Sequence, residues 1–227
     1  MIKNVIFDIG KVLIRFEWIE FMQNIFDDEE TRLGVSNAVW QSGYWTELDR
    51  NVMPEEEVFA KLRESAGKYA DAFDTAMNRL GELVQKTDYA VPWVKELKEK
   101  GYNVYFLSNY SDFIVRSNPD ALEFKKFMDG GVFSYEVKLI KPNREIFDCL
   151  CKKYSLDPSE CLFTDDSQKN VDAAREFGMK AIRFDGYEKT YPAIMDYLTG
   201  PNNGQDIADL PGSGLPFDGM DFSKWVK

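Results

Sequence analysis

Six polar side chains stand at the predicted ends of buried strands or just before a helix, where they could act together. They are Asp8, Ser108, Asn109, Lys141, Asp165 and Asp166. Because ligands bind beyond the carboxyl ends of the strands in parallel α/β sheets, we expect these side chains to meet at one edge. Three carboxylates at one edge repel each other, and a hard cation such as Mg²⁺ would neutralise them. A lysine beside them would keep one carboxylate ionised and help to bind an anion.

Short apolar strands alternate with amphipathic helices and would position these side chains. The predicted strands cover residues 3–8, 103–108, 161–164 and 180–184, with a weaker candidate at 132–135. Each is nearly continuous in apolar residues, which is typical of strands buried on both faces of a parallel sheet. The helices between them begin near proline or end at glycine. The alternation predicts an α/β fold with a doubly wound parallel sheet.

The alternation is interrupted between residues 15 and 90, where the pattern is helical and no strand is evident. We expect this insertion to form a separate, all-helical lobe.

The tail after Gly200 is rich in Gly, Pro, Asn and Asp and carries Phe217, Phe222 and Trp225. This composition predicts an irregular extension whose aromatic side chains lie on the surface or contact a partner. The predicted domains are residues 1–14 with 90–199, residues 15–89, and residues 200–227.

Composition and charge narrow the classes of function. The formal net charge of -11 argues against a protein that binds nucleic acid through its phosphate backbone. The absence of histidine excludes a Ser-His-Asp triad and any histidine metal site. The cysteines, Cys149, Cys151 and Cys161, have no framework spacing and are interpreted as free thiols of a reducing compartment. No apolar run reaches a membrane span and no signal region precedes the first strand, so we expect a soluble cytoplasmic protein.

The order of these polar residues along the chain, and their places after strands or before a helix, match a set of known sequence motifs. The stretches FDIGKVL, FLSNYSDF, LIKPNREIF and FTDDSQKN resemble the four motifs of the haloacid dehalogenase superfamily. They look most like its bacterial sugar-phosphatase branch, which includes a glucose-1-phosphatase. The resemblance implies a Rossmann-like core over residues 1–14 and 90–199. It also implies that the insertion is the superfamily's helical cap in its first position, which would close over the sheet edge.

The resemblance implies a role for each matching residue in the chemistry. Asp8 would attack phosphorus and form an aspartyl-phosphate. Ser108 and the backbone amide of Asn109 would hold phosphoryl oxygens. Lys141 would offset the charge of Asp8 and of the phosphate in the transition state. The substrate implied is a small phosphate monoester, with a sugar phosphate as the leading class, and the oligomeric state is not readable from the sequence.

The resemblance also implies a Mg²⁺ site. Its ligands would be the Asp8 carboxylate, the backbone carbonyl of Gly10 and Asp166. Asp165 would be a further ligand or would support the other ligands. Asn170, four residues after Asp166 and on the same helix face, would steady Asp166 or the waters of the metal.

Gly10 is the position at which the chain departs from the superfamily's phosphatases, which carry an aspartate there as the general acid. General acid–base assistance contributes about 10²–10⁴-fold. Four explanations stay open: a substrate with a good leaving group such as an anomeric sugar phosphate, a proton from substrate or metal-bound water, a role for Lys11, or a slow enzyme. Lys11 is equally interpreted as a phosphate-steering or a solvated lysine.

Two other functions remain compatible with the sequence. The superfamily's metal-independent 2-haloacid dehalogenases also lack the second aspartate, although they do not need the acidic pair Asp165-Asp166, which would be costly without a cation. A catalytically idle binding protein on the same fold is the third possibility. Within the insertion, aromatic and charged side chains would either line a sugar site or form the lobe's own core: Trp18, Phe21, Trp40, Tyr44, Trp45, Glu47, Asp49 and Arg50.

Overall fold

The computed structural model describes residues 1–201 and residue 203, and it shows a parallel sheet between helices. The strands are β1 (Asn4–Phe7), β2 (Ile14–Phe16), β3 (Val84–Lys86), β4 (Asn103–Ser108), β5 (Gly130–Phe133), β6 (Cys161–Asp165) and β7 (Lys180–Arg183). The central sheet has the order β5-β4-β1-β6-β7, and every neighbouring pair in it is parallel. The strand that carries Asp8 is therefore the middle strand, flanked by β4 and β6.

The helices lie in the connections between the strands. They are α1 (Trp18–Ile25), α2 (Glu29–Trp40), α3 (Trp45–Arg50), α4 (Glu55–Ala66), α5 (Ala70–Asn78), α6 (Ala90–Glu99), α7 (Asp112–Ser117), α8 (Ser134–Val137), α9 (Arg144–Tyr154), α10 (Gln168–Phe177) and α11 (Tyr187–Thr199). Short 3₁₀ helices cover Gly67–Tyr69, Leu80–Glu82, Pro119–Phe127 and Pro158–Glu160.

Alternate residues of the central strands pack on opposite faces of the sheet, as the period of two in a strand requires. On one face Phe7 meets Trp93 of α6 with ring centroids 4.6 Å apart. On the other face Phe163 meets Phe147 of α9 at 5.7 Å. Helices therefore cover both faces, which confirms the expected α/β fold and explains why the strand segments read as continuous apolar runs.

The segment between β2 and β3 contains helices α1 to α5, and their apolar side chains are buried. Val35, Leu62 and Phe73 belong to the same core as Phe7. The expectation of no strand between residues 15 and 90 is wrong, because β2 and β3 pair antiparallel from Ile14–Lys86 to Phe16–Val84. Each of these three-residue strands has one fully buried side chain, so neither produces an apolar run that a sequence pattern could detect.

The weak strand candidate at 132–135 is shifted by two residues. The strand β5 begins at Gly130, and Ser134 already belongs to α8. The ring of Phe106 occupies the space that a side chain at Gly131 would need. Two glycines therefore start a strand that lies close to its neighbour, and their low β propensity concealed it in the sequence.

Three smaller expectations have separate outcomes. The cysteines are free, with Cys151 and Cys161 buried and Cys149 partly exposed. In residues 1–201 and 203, no helix is both long enough and apolar enough to cross a membrane. The tail aromatics Phe217, Phe222 and Trp225 lie outside the described residues.

Candidate active site

The carboxyl ends of β1 and β4 bring Asp8 and Ser108 into contact. Asp8 follows the last residue of β1, and its N–H continues the sheet by donating to the Thr164 carbonyl at 2.9 Å. Its Oδ1 accepts hydrogen bonds from Ser108 Oγ at 2.8 Å and from Lys141 Nζ at 2.7 Å. Its Oδ2 accepts none from the described residues. One oxygen of this buried carboxylate is thus fixed, while the other is free to react or to bind a cation.

Lys141 is held at both its backbone and its ammonium. The side chain of Asn109 accepts from the Lys141 N–H at 2.8 Å and donates to the Lys141 carbonyl at 3.0 Å. The Nζ lies between Asp8 and Asp165, 2.7 Å and 2.6 Å away. Burial alone would lower the pKa of Lys141, but the carboxylates of Asp165 and Asp8 raise it above its ordinary value. The lysine is therefore a fixed, buried cation at the sheet edge.

Asp165, the last residue of β6, uses its carboxylate to hold neighbouring groups. Oδ1 accepts from the Ser167 N–H at 2.8 Å, and Oδ2 accepts from Lys141. The Asn170 amide donates to both oxygens at 3.0 Å. The Asn170 amide thus contacts Asp165 and not Asp166, while the alternative that it steadies the waters of a metal stays a prediction. The helix α10 turns the Asn170 side chain back toward β6, so it contacts the fully buried carboxylate and not the partly exposed one.

Asp8, Asp165 and Asp166 form an acidic cluster, with one carboxylate oxygen from each lying within 4.8 Å of the others. Burial, opposed by Lys141 and aided by the charges of Asp165 and Asp166, raises the pKa of Asp8 to about 7. Burial and Asp165 likewise raise the pKa of Asp166. Hard carboxylate oxygens at this spacing fit a divalent cation such as Mg²⁺. Asp8 and Asp166 have the free oxygens for it, because those of Asp165 already accept hydrogen bonds.

A cavity of about 360 Å³ opens over this cluster. Its floor includes Asp8, Gly10, Lys11, Asn109, Lys141, Asp166 and Asn170, and its wall on the inserted segment includes Phe16, Trp18, Trp40, Trp45, Thr46 and Asp49. The ring of Trp40 lies 5.2 Å from those of both Trp18 and Trp45. Ser108 is buried and is not among the residues that line the cavity. The tryptophans therefore pack on one another and line the cavity at the same time.

Two residues that line the cavity were not assigned a catalytic role from the sequence. Tyr110 follows the Ser108-Asn109 pair, and its buried hydroxyl has no hydrogen-bond partner among the described residues. Asp49 was grouped with possible sugar contacts, yet it faces the acidic cluster across the cavity. Burial and, to a smaller extent, the charge of Asp8 raise the pKa of Asp49 to about 7, although Lys141 acts to lower it. The position of Tyr110 beside a motif was a usable signal, whereas that of Asp49 depends on how the insertion folds.

Comparisons with known proteins agree with this geometry. The sequence profile of the haloacid dehalogenase-like hydrolases matches residues 2–178. A D-ribitol-5-phosphate phosphatase of Bacteroides thetaiotaomicron is 27% identical over 193 residues, covering 81% of this chain and 92% of that protein. An (S)-2-haloacid dehalogenase of a Pseudomonas species is 24% identical over 217 residues, covering 82% of this chain and 93% of that protein.

A solved structure of the same family has a similar fold. It is a family enzyme from Bacteroides thetaiotaomicron in complex with magnesium and inorganic phosphate. Its TM-score to this chain is 0.63 at 27% identity, and the match covers 81% of this chain and 94% of that one.

Proposed function

Since this chain belongs to the haloacid dehalogenase-like hydrolase family, we propose that it is a Mg²⁺-dependent phosphatase of small phosphate monoesters. A sugar or sugar-alcohol phosphate is the leading substrate class. The main support for the proposal is the different surroundings of the two carboxylate oxygens of Asp8. One oxygen is held by Ser108 and Lys141, and the other is free at the floor of a cavity large enough for a small metabolite.

The chemistry would start at the free oxygen of Asp8. Oδ2 attacks phosphorus, the bond from phosphorus to the leaving oxygen breaks, and an aspartyl-phosphate forms. Water then attacks the phosphorus, which releases inorganic phosphate and restores the carboxylate. Lys141 lies 2.7 Å from the other oxygen and offsets the negative charge that grows as the phosphoryl group arrives. The backbone amide of Asn109 and the ammonium of Lys11, both at the cavity floor, would contact the phosphoryl oxygens.

Mg²⁺ would be held by Asp8, Asp166 and the backbone carbonyl of Gly10, with Asp165 and Asn170 supporting that set. When bound, the cation supplies the positive charge that lets a carboxylate and a phosphate dianion approach each other. The close packing of three carboxylates supports this assignment, because Lys141, which contacts two of them, brings a single positive charge. The similar enzyme solved with magnesium and phosphate supports it as well.

We further propose that residues 15–89 act as a cap over the core formed by residues 1–14 and 90–199. The cavity supports this division, because its floor comes from the sheet edge and its tryptophan wall comes from the insertion. In this arrangement the sheet edge carries the reaction, while Trp18, Trp40 and Trp45 contact the rest of the substrate.

Dehalogenation is the second candidate. The glycine at position 10 and the similarity to an (S)-2-haloacid dehalogenase favour it. The acidic cluster opposes it, because a reaction without a metal has no use for Asp166 beside Asp8 and Asp165. The phosphatase is therefore the better-supported function.

The deciding experiment measures phosphate release from a panel of phosphorylated sugars and sugar alcohols, with Mg²⁺ and with EDTA. Asp8→Asn is the inactive variant, and Asp172→Asn, an exposed change on α10, is the matched control. We expect release that requires Mg²⁺, is lost in Asp8→Asn and is retained in Asp172→Asn. Release of halide from 2-chloropropionate in EDTA, without release of phosphate, would establish the dehalogenase instead.

A further inference from the structure

Gly10 leaves the phosphatase reaction without a proton donor on the strand that carries the nucleophile. The position is not closed to a side chain, because a Cβ there would meet only Asp8 Oδ2, 3.9 Å away. An alcohol leaves phosphorus as an alkoxide unless it receives a proton, so some other group on the cavity wall has to supply one.

Asp49 is placed on the opposite wall of the cavity by contacts that fix the end of α3. Its carbonyl accepts a hydrogen bond from Ser134 Oγ at 2.6 Å, and Asn51 Nδ2 donates to the Tyr135 carbonyl at 3.3 Å. Both partners belong to α8, which directly follows β5. The side chains of Trp45 and Leu48 anchor α3 in the core. Asp49 is thus held against the sheet edge, although the insertion carries it.

The carboxyl group of Asp49 has no fixed partner. No described residue donates a hydrogen bond to it, and no hydrogen bond joins it to Asp8, which lies on the floor of the same cavity. The titratable and charged groups that act on it or face the same cavity are Asp8, Lys141, Tyr110, Lys11 and Asp166. Burial and the Asp8 charge favour its protonated form, which keeps a proton available near neutral pH.

The other proton donors that line the cavity are less suited to protonate the leaving oxygen. Lys141 is bound to Asp8 and Asp165. Lys11 acts electrostatically on Asp166, on the side where the cation and phosphate would lie. Burial, followed by the charges of Asp8 and Asp49, raises the pKa of Tyr110 far above neutral. Asp49 remains as the carboxyl group that can both give and take a proton.

We propose that Asp49 is the general acid and base of this enzyme, a role that rests on the proposed phosphatase function. As Asp8 Oδ2 bonds to phosphorus, the bond from phosphorus to the leaving oxygen breaks, and the Asp49 proton moves to that oxygen to give the alcohol. In the second step the Asp49 carboxylate takes a proton from the attacking water. The bond between phosphorus and Asp8 breaks, phosphate leaves and Asp49 is protonated again. A cap residue would then perform the step for which position 10 lacks a side chain.

The test compares two substrates that differ in their need for a proton. Ribitol 5-phosphate releases an alcohol, whereas 4-nitrophenyl phosphate releases a stable phenolate without protonation. In Asp49→Asn and Asp49→Ala, we expect the first-turnover rate of ribitol release to fall about 10²–10⁴-fold, with a loss below about 10-fold in the first-turnover release of 4-nitrophenolate. The later hydrolysis of the aspartyl-phosphate, in which Asp49 acts as the base, should slow equally for both substrates. Asp112→Asn, an exposed change on α7, is the control and should leave both rates unchanged.

Each result has a distinct meaning. A selective loss with the alcohol substrate in either folded variant supports the assignment. An equal first-turnover loss with both substrates, or no such loss with ribitol 5-phosphate, overturns it and leaves the phosphatase function intact. Absence of Asp8-dependent release from either substrate in the wild-type protein overturns the proposed function, and this inference with it.

Discussion

Lys141 Nζ lies 2.6 Å from Asp165 Oδ2, and the side chains are 1% and 0% exposed. The same ammonium contacts Asp8, so a single cation compensates two buried carboxylates. Removing one partner of a buried ion pair leaves an uncompensated charge, which costs far more than an exposed pair contributes. The pair is therefore as important for stability as for the proposed chemistry.

Lys141→Met should lower the free energy of unfolding by about 3–5 kcal/mol at pH 7, because Asp8 and Asp165 then lose their cation. Urea denaturation in EDTA measures the change. The matched control is Lys152→Met, which removes a lysine 2.6 Å from Asp148 at an exposed site and should have no measurable effect. Similar losses in the two variants would show that burial does not distinguish the pairs.

Asn170→Ala should weaken Mg²⁺ binding by about 10- to 100-fold, because Asp165 loses the amide that holds both of its oxygens. Titration of the protein with Mg²⁺ in a calorimeter measures the affinity. Gln168→Ala removes an amide from the same helix that contacts Asp172 and not the cluster, and it should leave the affinity unchanged. An unaltered affinity in Asn170→Ala would mean that Asp165 needs no such support.

Asp49 should make the stability of the protein depend on pH. Its pKa is raised from an ordinary value of 3.8 to about 7, so the folded chain holds this proton more tightly than the unfolded chain does. The resulting stabilisation is fully present below about pH 4 and is lost as the pH rises through 7. Between pH 4 and 8, the wild type should therefore lose up to about 4 kcal/mol of unfolding free energy relative to Asp49→Asn.

Denaturation series in EDTA at several pH values, run on both proteins in parallel, measure that shift. Taking the difference removes the contributions of groups that titrate independently of Asp49. A difference that stays constant with pH would show that Asp49 ionises in its ordinary range.

Trp40→Phe should raise KM for the best sugar-alcohol phosphate by about 2- to 10-fold with little change in kcat. The Trp40 ring lines the cavity, and the smaller phenyl ring would remove apolar contact with the substrate, at about 25 cal/mol per Å². Trp93→Phe makes the same chemical change in the core and should alter stability without altering KM. An unchanged KM in Trp40→Phe would assign that ring to packing alone.

The sequence predicted those parts of the molecule that depend on the main sheet. Asp8 and Ser108 follow long apolar runs, and parallel strands necessarily bring such ends to one edge, so their meeting was predictable. The pair of strands β2 and β3 was not, because pairing across an insertion of five helices leaves no local pattern. The partner of Asn170 and the place of Asp49 depend on side-chain direction and on how the insertion folds back, which residue spacing does not encode.

Ser134 lies at the junction between the inserted segment and the sheet, and its hydroxyl bonds to both. Its hydroxyl accepts from the Tyr110 N–H at 2.9 Å and donates to the Asp49 carbonyl at 2.6 Å. A motion that lifts α3 from the sheet edge must break the second of these bonds. The Ser134 oxygen would still accept from the Tyr110 N–H, and its hydroxyl lies 3.3 Å from the Tyr110 carbonyl as a second acceptor. One hydroxyl group therefore joins α3 of the inserted segment to the turn that follows Asn109.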